Sequence, residues 1–226
     1  KQNNTYPQTL SKLNNFNLTE NYPLTLPKIY GKKSYIINNK PKFYYINNTQ
    51  EKYNKIIELI KNCKKPIIYA GQGVNNSYNL FRKFVKKTNI PVTTTIHAIG
   101  SYDENEALSL EFLGMHGSVP ANYSIQNADL IIALGSRFDD RTTGNIEKYA
   151  PKAFEAAKNN KGGIVHINID DNEFNKIVNS NINIKTDCKE FFEKIIPKLE
   201  DNYDRTEWLN TINKWKKKIS LDLQKN

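Results

Sequence analysis

With 226 residues, 38% of them hydrophobic, the chain is long enough for one large α/β domain and an arm; its low mean hydropathy of -0.68 comes largely from Asn and Lys runs such as Asn14-Asn15, Asn38-Asn39 and Lys216-Lys217-Lys218. A net charge of +10 would attract polyanions, yet no compact stripe of Arg interleaved with aromatics occurs, so nucleic acid is excluded as a partner and the lysines read as a solvated surface or a face that meets an acidic domain. Two widely separated cysteines, Cys63 and Cys188, outside any CxxC or Cys/His spacing, rule out the usual zinc patterns and fit a reduced, intracellular setting, and no apolar run reaches the ~18–20 residues of a membrane span.

In chain order, residues 1–50 carry Pro7, Pro23, Pro27 and Pro41 among many Asn with no sustained period. They read as a linker or arm, with short extended pieces at 35–37 and 43–46. The segment shows no signal-peptide core, and its start at Lys1 instead of Met points to a fragment or a processed product. From Glu51 the pattern changes: Tyr53, Ile56, Ile57 and Ile60 fall at i, i+3, i+4, i+7, which predicts an amphipathic helix. Four apolar runs come next, at 66–70, 91–95, 130–134 and 164–167, with a weaker fifth at 182–184. Helical patterns lie between them at Leu80–Val85, Ala121–Asn127 and Phe191–Leu199, the last preceded by Asp187 and Glu190 in the spacing of a capping box.

Strands covered by helices on both faces read as continuous apolar runs. Their alternation with helices predicts a doubly wound, Rossmann-like α/β fold with a parallel sheet. Trp208, Ile212, Trp215 and Ile219 predict a last amphipathic helix leading into a following domain. The expected division is an arm over 1–50, a nucleotide-binding domain over 51–203 and the connecting helix over 204–226.

Ligands of an open parallel sheet bind outside the carboxyl ends of its strands, so the residues placed there are the candidates. Gly71-Gln72-Gly73 follows the first run; two glycines there let backbone approach a ligand, or simply make a tight βα turn. Gly114-Met115-His116-Gly117 precedes a helix for which Ser118 is a candidate N-cap. Gly135 to Gly144 follows the most apolar run and contains Arg137, Asp139, Asp140 and Arg141. Four charges at a strand end imply either mutual ion pairs or a bound ligand, and the planar fork of Arg suits a pyrophosphate.

Taken together, Gly71-Gln72-Gly73, Gly114-Met115-His116-Gly117, Ala128 to Ala133, Arg137-Phe138-Asp139-Asp140-Arg141 and Gly162 to Ile167 occur in the order and near the spacing of the acetolactate synthase family, and the stretch from Arg205 through Lys216 is similar to the segment after that family's middle domain. The resemblance covers about 65–218. It implies a six-stranded parallel sheet that binds FAD as the central domain of a three-domain thiamine-diphosphate enzyme. By the same resemblance Gly71, Gln72 and Gly73 would meet the FAD, with Thr95 and Ile96 near the flavin and Met115 and His116 extending that contact. Gly135, Ser136, Arg137, Asp139 and Arg141 would surround the ribityl chain and pyrophosphate, and Asn168, Ile169, Asp187 and Cys188 the adenosine half. Met115, Asp140 and Arg141 would line part of the channel to the thiamine that sulfonylurea-type inhibitors block.

The chain departs from the family pattern at Asn168, where an acidic residue is frequent, and at His97, near a position commonly Gln or small. The Gly-Asp-Gly motif that holds thiamine diphosphate and Mg²⁺ is missing, as is the activating glutamate of the first domain. His97, His116 and His166 have no triad-like partner apparent. The resemblance therefore implies a cofactor domain that is inactive alone. Its partners would be flanking thiamine-diphosphate domains, further copies of the chain and a regulatory subunit. The parent enzyme would act on pyruvate and 2-ketobutyrate, in a plastid or mitochondrion if eukaryotic and otherwise in the cytoplasm. The competing readings are the central domain of a glyoxylate carboligase or pyruvate oxidase, and a stand-alone nucleotide-binding module.

Overall fold

The computed structural model describes residue 46 and residues 48–201 and 203–223, with side chains up to 217. The arm predicted over 1–50, with its extended pieces, lies outside the described residues except at Ile46 and from Asn48 on. Those last residues belong to a helix instead. Asn48 is the N-cap of helix α1 (Thr49–Asn62), and its side chain accepts from the Gln50 amide.

Six strands form one sheet: β1 (Pro66–Ala70), β2 (Val92–Thr94), β3 (Ser109–Phe112), β4 (Leu130–Leu134), β5 (Gly163–Asn168) and β6 (Ile182–Lys185). Their spatial order is β3-β2-β1-β4-β5-β6, and every neighbouring pair is parallel. The chain thus starts in the middle of the sheet, builds outward to one edge, and returns to build outward to the other. The reversal between β1 and β4 is the switch point at which such sheets bind ligands.

The apolar runs are continuous because alternate residues feed two separate cores. Ile68, Ala70, Ile132, Leu134, Val165 and Ile167 pack on one face with α1, α2 (Tyr78–Thr88) and α6 (Cys188–Ile195). Ile67, Tyr69, Ile131, Ala133 and Ile164 pack on the other. That second face is covered by α3 (Val119–Asn127), α5 (Pro151–Lys158) and α7 (Thr206–Leu223). A four-residue turn, α4 (Asp140–Thr143), follows β4.

The sequence predicts a last amphipathic helix leading into a following domain; the helix forms, and its first turns are part of this core. Trp208 and Ile212 are 1% exposed, and Trp208 Nε1 donates to the Pro66 carbonyl at 2.9 Å. Buried Arg205 donates to the carbonyls of Ile60 and Cys63, satisfying groups that the end of α1 leaves orphaned. Both sheet edges are blunted by lysines bonded to strand carbonyls, Lys52 to Asn183 of β6 at 2.9 Å and Lys216 to Ser109 of β3 at 2.6 Å, which removes acceptors that another strand would use.

β3 and α5 are not visible in the periodicity. β3 is a four-residue edge strand with a register shift against β2 and a Glu111 at φ +63°, and α5 buries only two alanines of its own, Ala153 and Ala157. The capping box forms by half: the Asp187 side chain accepts from the Lys189 amide, while Glu190 bonds the Thr186 hydroxyl and Lys194 instead of reaching back to Asp187.

Candidate cofactor site

A cleft of about 730 Å³ opens across the carboxyl ends of the strands, and residues following all six contribute to its wall. That volume is in the range of small-molecule and cofactor sites. Gly71, Gln72 and Gly73 come from the turn after β1, Thr95 and Ile96 from that after β2, Met115 and His116 from that after β3. The loop after β4 gives Gly135, Ser136, Arg137, Asp139 and Arg141, that after β5 gives Asn168 and Ile169, and that after β6 gives Asp187 and Cys188. All sixteen candidates for cofactor contact thus line one wall. Asp140, assigned with Met115 and Arg141 to a channel, does not: it is exposed at the first position of α4 and is absent from the lining.

The glycines after β1 turn out to serve the protein's own packing. A Cβ on Gly71 would stand 2.3 Å from the Gly135 carbonyl oxygen and 2.4 Å from Ser136 Cα, and one on Gly73 would be 2.7 Å from Gly135 Cα. Gly135 itself has φ +54°, which favours glycine. The turns after the two strands flanking the switch point therefore touch backbone to backbone, closing the cleft floor. A similar stitch joins the β3 and β4 loops, where the Met115 amide donates to the Arg141 carbonyl at 2.8 Å. Gly114 sits at φ +115° beside that carbonyl. Ser118 is the N-cap of α3, as expected, accepting from the Ala121 amide at 3.1 Å.

The loop after β4 alternates in and out. Ser136 and Phe138 are buried, while Arg137 and Asp139 are exposed. Phe138 packs against Tyr69, Tyr149 and His166, with ring centroids 5.6, 6.0 and 5.2 Å apart. Asp139 caps α4 by accepting from the Thr142 amide at 2.8 Å. The ion-pair cluster that would have explained the four charges without a ligand is not formed. Among the described residues, the ion pairs use lysines throughout, which leaves the guanidiniums of Arg137 and Arg141 uncommitted on the cleft wall.

Those two cations suit a pyrophosphate. The Thr95 hydroxyl on the same wall is buried without a partner, a polar group that a ligand could satisfy. Ile96, Met115 and Ile169 are 66%, 72% and 66% exposed, an apolar rim suited to an aromatic ring system. Burial pushes the Cys188 thiol up to about 12, so it stays protonated and acts as packing. The pair of guanidiniums, the apolar rim and the position at the switch point fit a dinucleotide, although Asp139, Asp170, Glu173 and Asp187 place four carboxylates on the same wall.

Asn168 is more committed than expected. Its Nδ2 donates to the Ser136 carbonyl at 3.1 Å and its Oδ1 accepts from the Asp170 amide at 3.0 Å. The wall also includes residues that the sequence did not single out for contact, among them Phe112, Leu113, Asp170 and Glu173. The first two escape notice because β3 does; the turn signal Asp170-Asp171-Asn172 after β5 could have found the others.

His166 lies in β5 beneath this loop, fully buried, and burial lowers its pKa from the usual 6.5 against the opposing pull of its Ser136 bond and of Glu173. Below that pH the unfolded chain binds a proton the native state refuses, so the stability His166 contributes above pH 6.5 is lost as pH falls through its native pKa. The expected slope from this group is up to about 1.4 kcal/mol per pH unit. Urea unfolding of wild type and His166→Gln between pH 7.5 and 5 checks it: wild type should lose more stability on acidification than the variant, and parallel curves would remove His166 from the account.

Comparison with known proteins agrees with this architecture. The family model described as thiamine pyrophosphate enzyme, central domain, matches residues 53–195. The chain belongs to that family. Among curated proteins it is similar to the mitochondrial acetolactate synthase catalytic subunit of Saccharomyces cerevisiae, 44% identical over 167 residues that make up 73% of this chain and 24% of that protein. It is also similar to the acetolactate synthase large subunit of Buchnera aphidicola subsp. Schlechtendalia chinensis, 35% identical over 216 residues, 90% of this chain and 36% of that one. With the chloroplastic acetolactate synthase of Arabidopsis thaliana it shares 37% identity over 175 residues, 75% and 25% of the two chains. The chain spans roughly a quarter to a third of the length of these relatives.

Proposed function

We propose that the chain is the FAD-carrying middle domain of an acetolactate synthase, and that it contributes a cofactor site and a channel wall but no reaction centre. The observation that carries this reading is the convergence of the sixteen candidate residues, from the ends of six strands, on one cleft at the switch point. Arg137 and Arg141 would neutralise the pyrophosphate, Thr95 and Ile96 would meet the flavin, and Asp187 and Cys188 would lie at the adenosine end. Met115, joined to Arg141 through its backbone, would form the channel side with it and with Asp140, which is exposed beside Arg141 and outside the cleft lining.

In the parent enzyme thiamine diphosphate, with Mg²⁺, would supply the electron sink for condensing pyruvate with pyruvate or 2-ketobutyrate. This chain's task is to hold FAD in place and close one side of the route to that centre. Flanking thiamine-diphosphate domains, further copies of the chain and a regulatory subunit complete the proposed assembly. The eukaryotic relatives carry mitochondrial or chloroplastic in their names, and a location in such an organelle is proposed for a eukaryotic source. No described helix is long and apolar enough to cross a membrane.

The reading predicts that the 226-residue chain, given pyruvate, thiamine diphosphate, Mg²⁺ and FAD, forms no acetolactate above the protein-free background, while the full-length protein does. Turnover by the chain alone would overturn it.

A further inference from the structure

The loop that carries Arg137 is fixed from below by side chains of neighbouring strands. The Ser136 carbonyl is bonded to His166 Nε2 at 2.9 Å and to Asn168 Nδ2 at 3.1 Å, and the Arg137 carbonyl accepts from the Tyr69 hydroxyl at 3.1 Å. His166 is 0% exposed and stands edge-on between the rings of Phe138 and Phe174, at 5.2 and 5.1 Å. Its Nδ1 is buried without a partner. A neutral ring with one acceptor carbonyl in reach must carry its proton on Nε2, so His166 is a donor to Ser136.

This arrangement makes little sense as packing alone. An apolar ring or a leucine would fill the slot between two phenylalanines without stranding an unpaired nitrogen. What only a donor can do here is hold the Ser136 carbonyl toward β5. A trans peptide sets the following N–H opposite its carbonyl, so the same bond turns the Arg137 amide away from β5. The Arg137 side chain is left on the cleft wall. Asn168 repeats the contact from two residues on, and its other end holds the Asp170 turn.

We propose that His166 and Asn168 are positioning residues that set the Ser136–Arg137 peptide, and through it the Arg137 guanidinium, for the anionic group of a dinucleotide. The inference rests on the reading of the cleft as an FAD site. It also gives the departure at Asn168 a reason: an amide can donate to the Ser136 carbonyl, and an ionised carboxylate cannot.

The test is a flavin-fluorescence titration of the full-length protein with FAD, for wild type, His166→Leu, His166→Gln, Asn168→Ala, Arg137→Ala and the double variant His166→Leu/Arg137→Ala, with thermal melting of each apo form. His166→Leu should weaken FAD binding by about tenfold, as expected for one lost hydrogen bond in a buried network. His166→Gln, whose amide reaches the same carbonyl, should stay within about threefold of wild type. The double variant should bind no more weakly than Arg137→Ala alone, because His166 acts through Arg137. If His166→Leu fails to fold, Asn168→Ala gives the same comparison with an expected loss of about fivefold. Unchanged affinity in these variants, or losses that multiply in the double variant, would overturn the positioning role while leaving the FAD reading intact. A wild type that takes up no FAD would overturn both.

Discussion

Gly71→Ala should cost about 3 kcal/mol of stability, the upper end of what overpacking costs in a well-packed interior. The added methyl meets Gly135 O at 2.3 Å and Ser136 Cα at 2.4 Å. Neither can move aside, because the Gly71 amide is bonded to the Leu134 carbonyl and the Gly135 amide to that of Ile167. The turns after β1 and β4 would have to separate, and the floor of the cleft with them. For a domain of this size about 3 kcal/mol corresponds to a fall in Tm of roughly 6–12 °C. Calorimetric or fluorescence melting checks this, with the exposed neighbour Gln72→Ala as a control that should shift stability by less than about 0.5 kcal/mol. A Gly71→Ala protein that melts with wild type would show that the two turns are not locked together.

Arg137→Ala should do the opposite, leaving the fold alone and weakening the site. Arg137 is exposed and forms no ion pair among the described residues, so stability should change by less than about 0.5 kcal/mol. FAD binding by the full-length protein should weaken by about 1.5–3 kcal/mol, the range for a hydrogen bond to a charged group. Titration of apo protein with FAD, alongside a urea melt, reads both quantities. Unchanged FAD affinity would remove Arg137 from the pyrophosphate, and an equal loss of stability would make it a structural residue.

The contrast between these two variants shows what the sequence could and could not convey. The runs at 66–70, 130–134 and 164–167 are legible as strands because burial on both faces demands apolar residues at every position, and the structure pairs all three in the centre of the sheet. β3 is not legible, because the alternation of Ser109-Leu110-Glu111-Phe112 lasts only four residues and its burial does not follow it, Ser109 being buried beside Leu110. Of the candidate site, strand-end position and residue type pick out the stretches at 71–73, 114–117 and 135–144, while Thr95, Ile96, Asn168, Ile169, Asp187 and Cys188 come from the family resemblance alone; all sixteen candidates lie among the lining residues. Their roles are harder to read. Gly71 and Gly73 look in sequence like openings for a ligand, yet their bare Cα atoms face the backbone of another turn. Asn168 looks like a ligand contact, yet both ends of its amide are spent on neighbouring loops. Long-range partners such as Gly135 and Ser136 are set by the pairing of β1 with β4, which no local pattern encodes.

The cleft at the β1–β4 switch point is expected to take FAD, and the most direct measurement is a structure of the full-length protein determined with FAD bound. One FAD per chain is expected along the carboxyl ends of the six strands, its pyrophosphate against Arg137 and the β4 loop and its ring system toward Thr95 and Ile96. A cleft filled by protein from a flanking domain, or FAD seated elsewhere on the chain, would contradict that expectation.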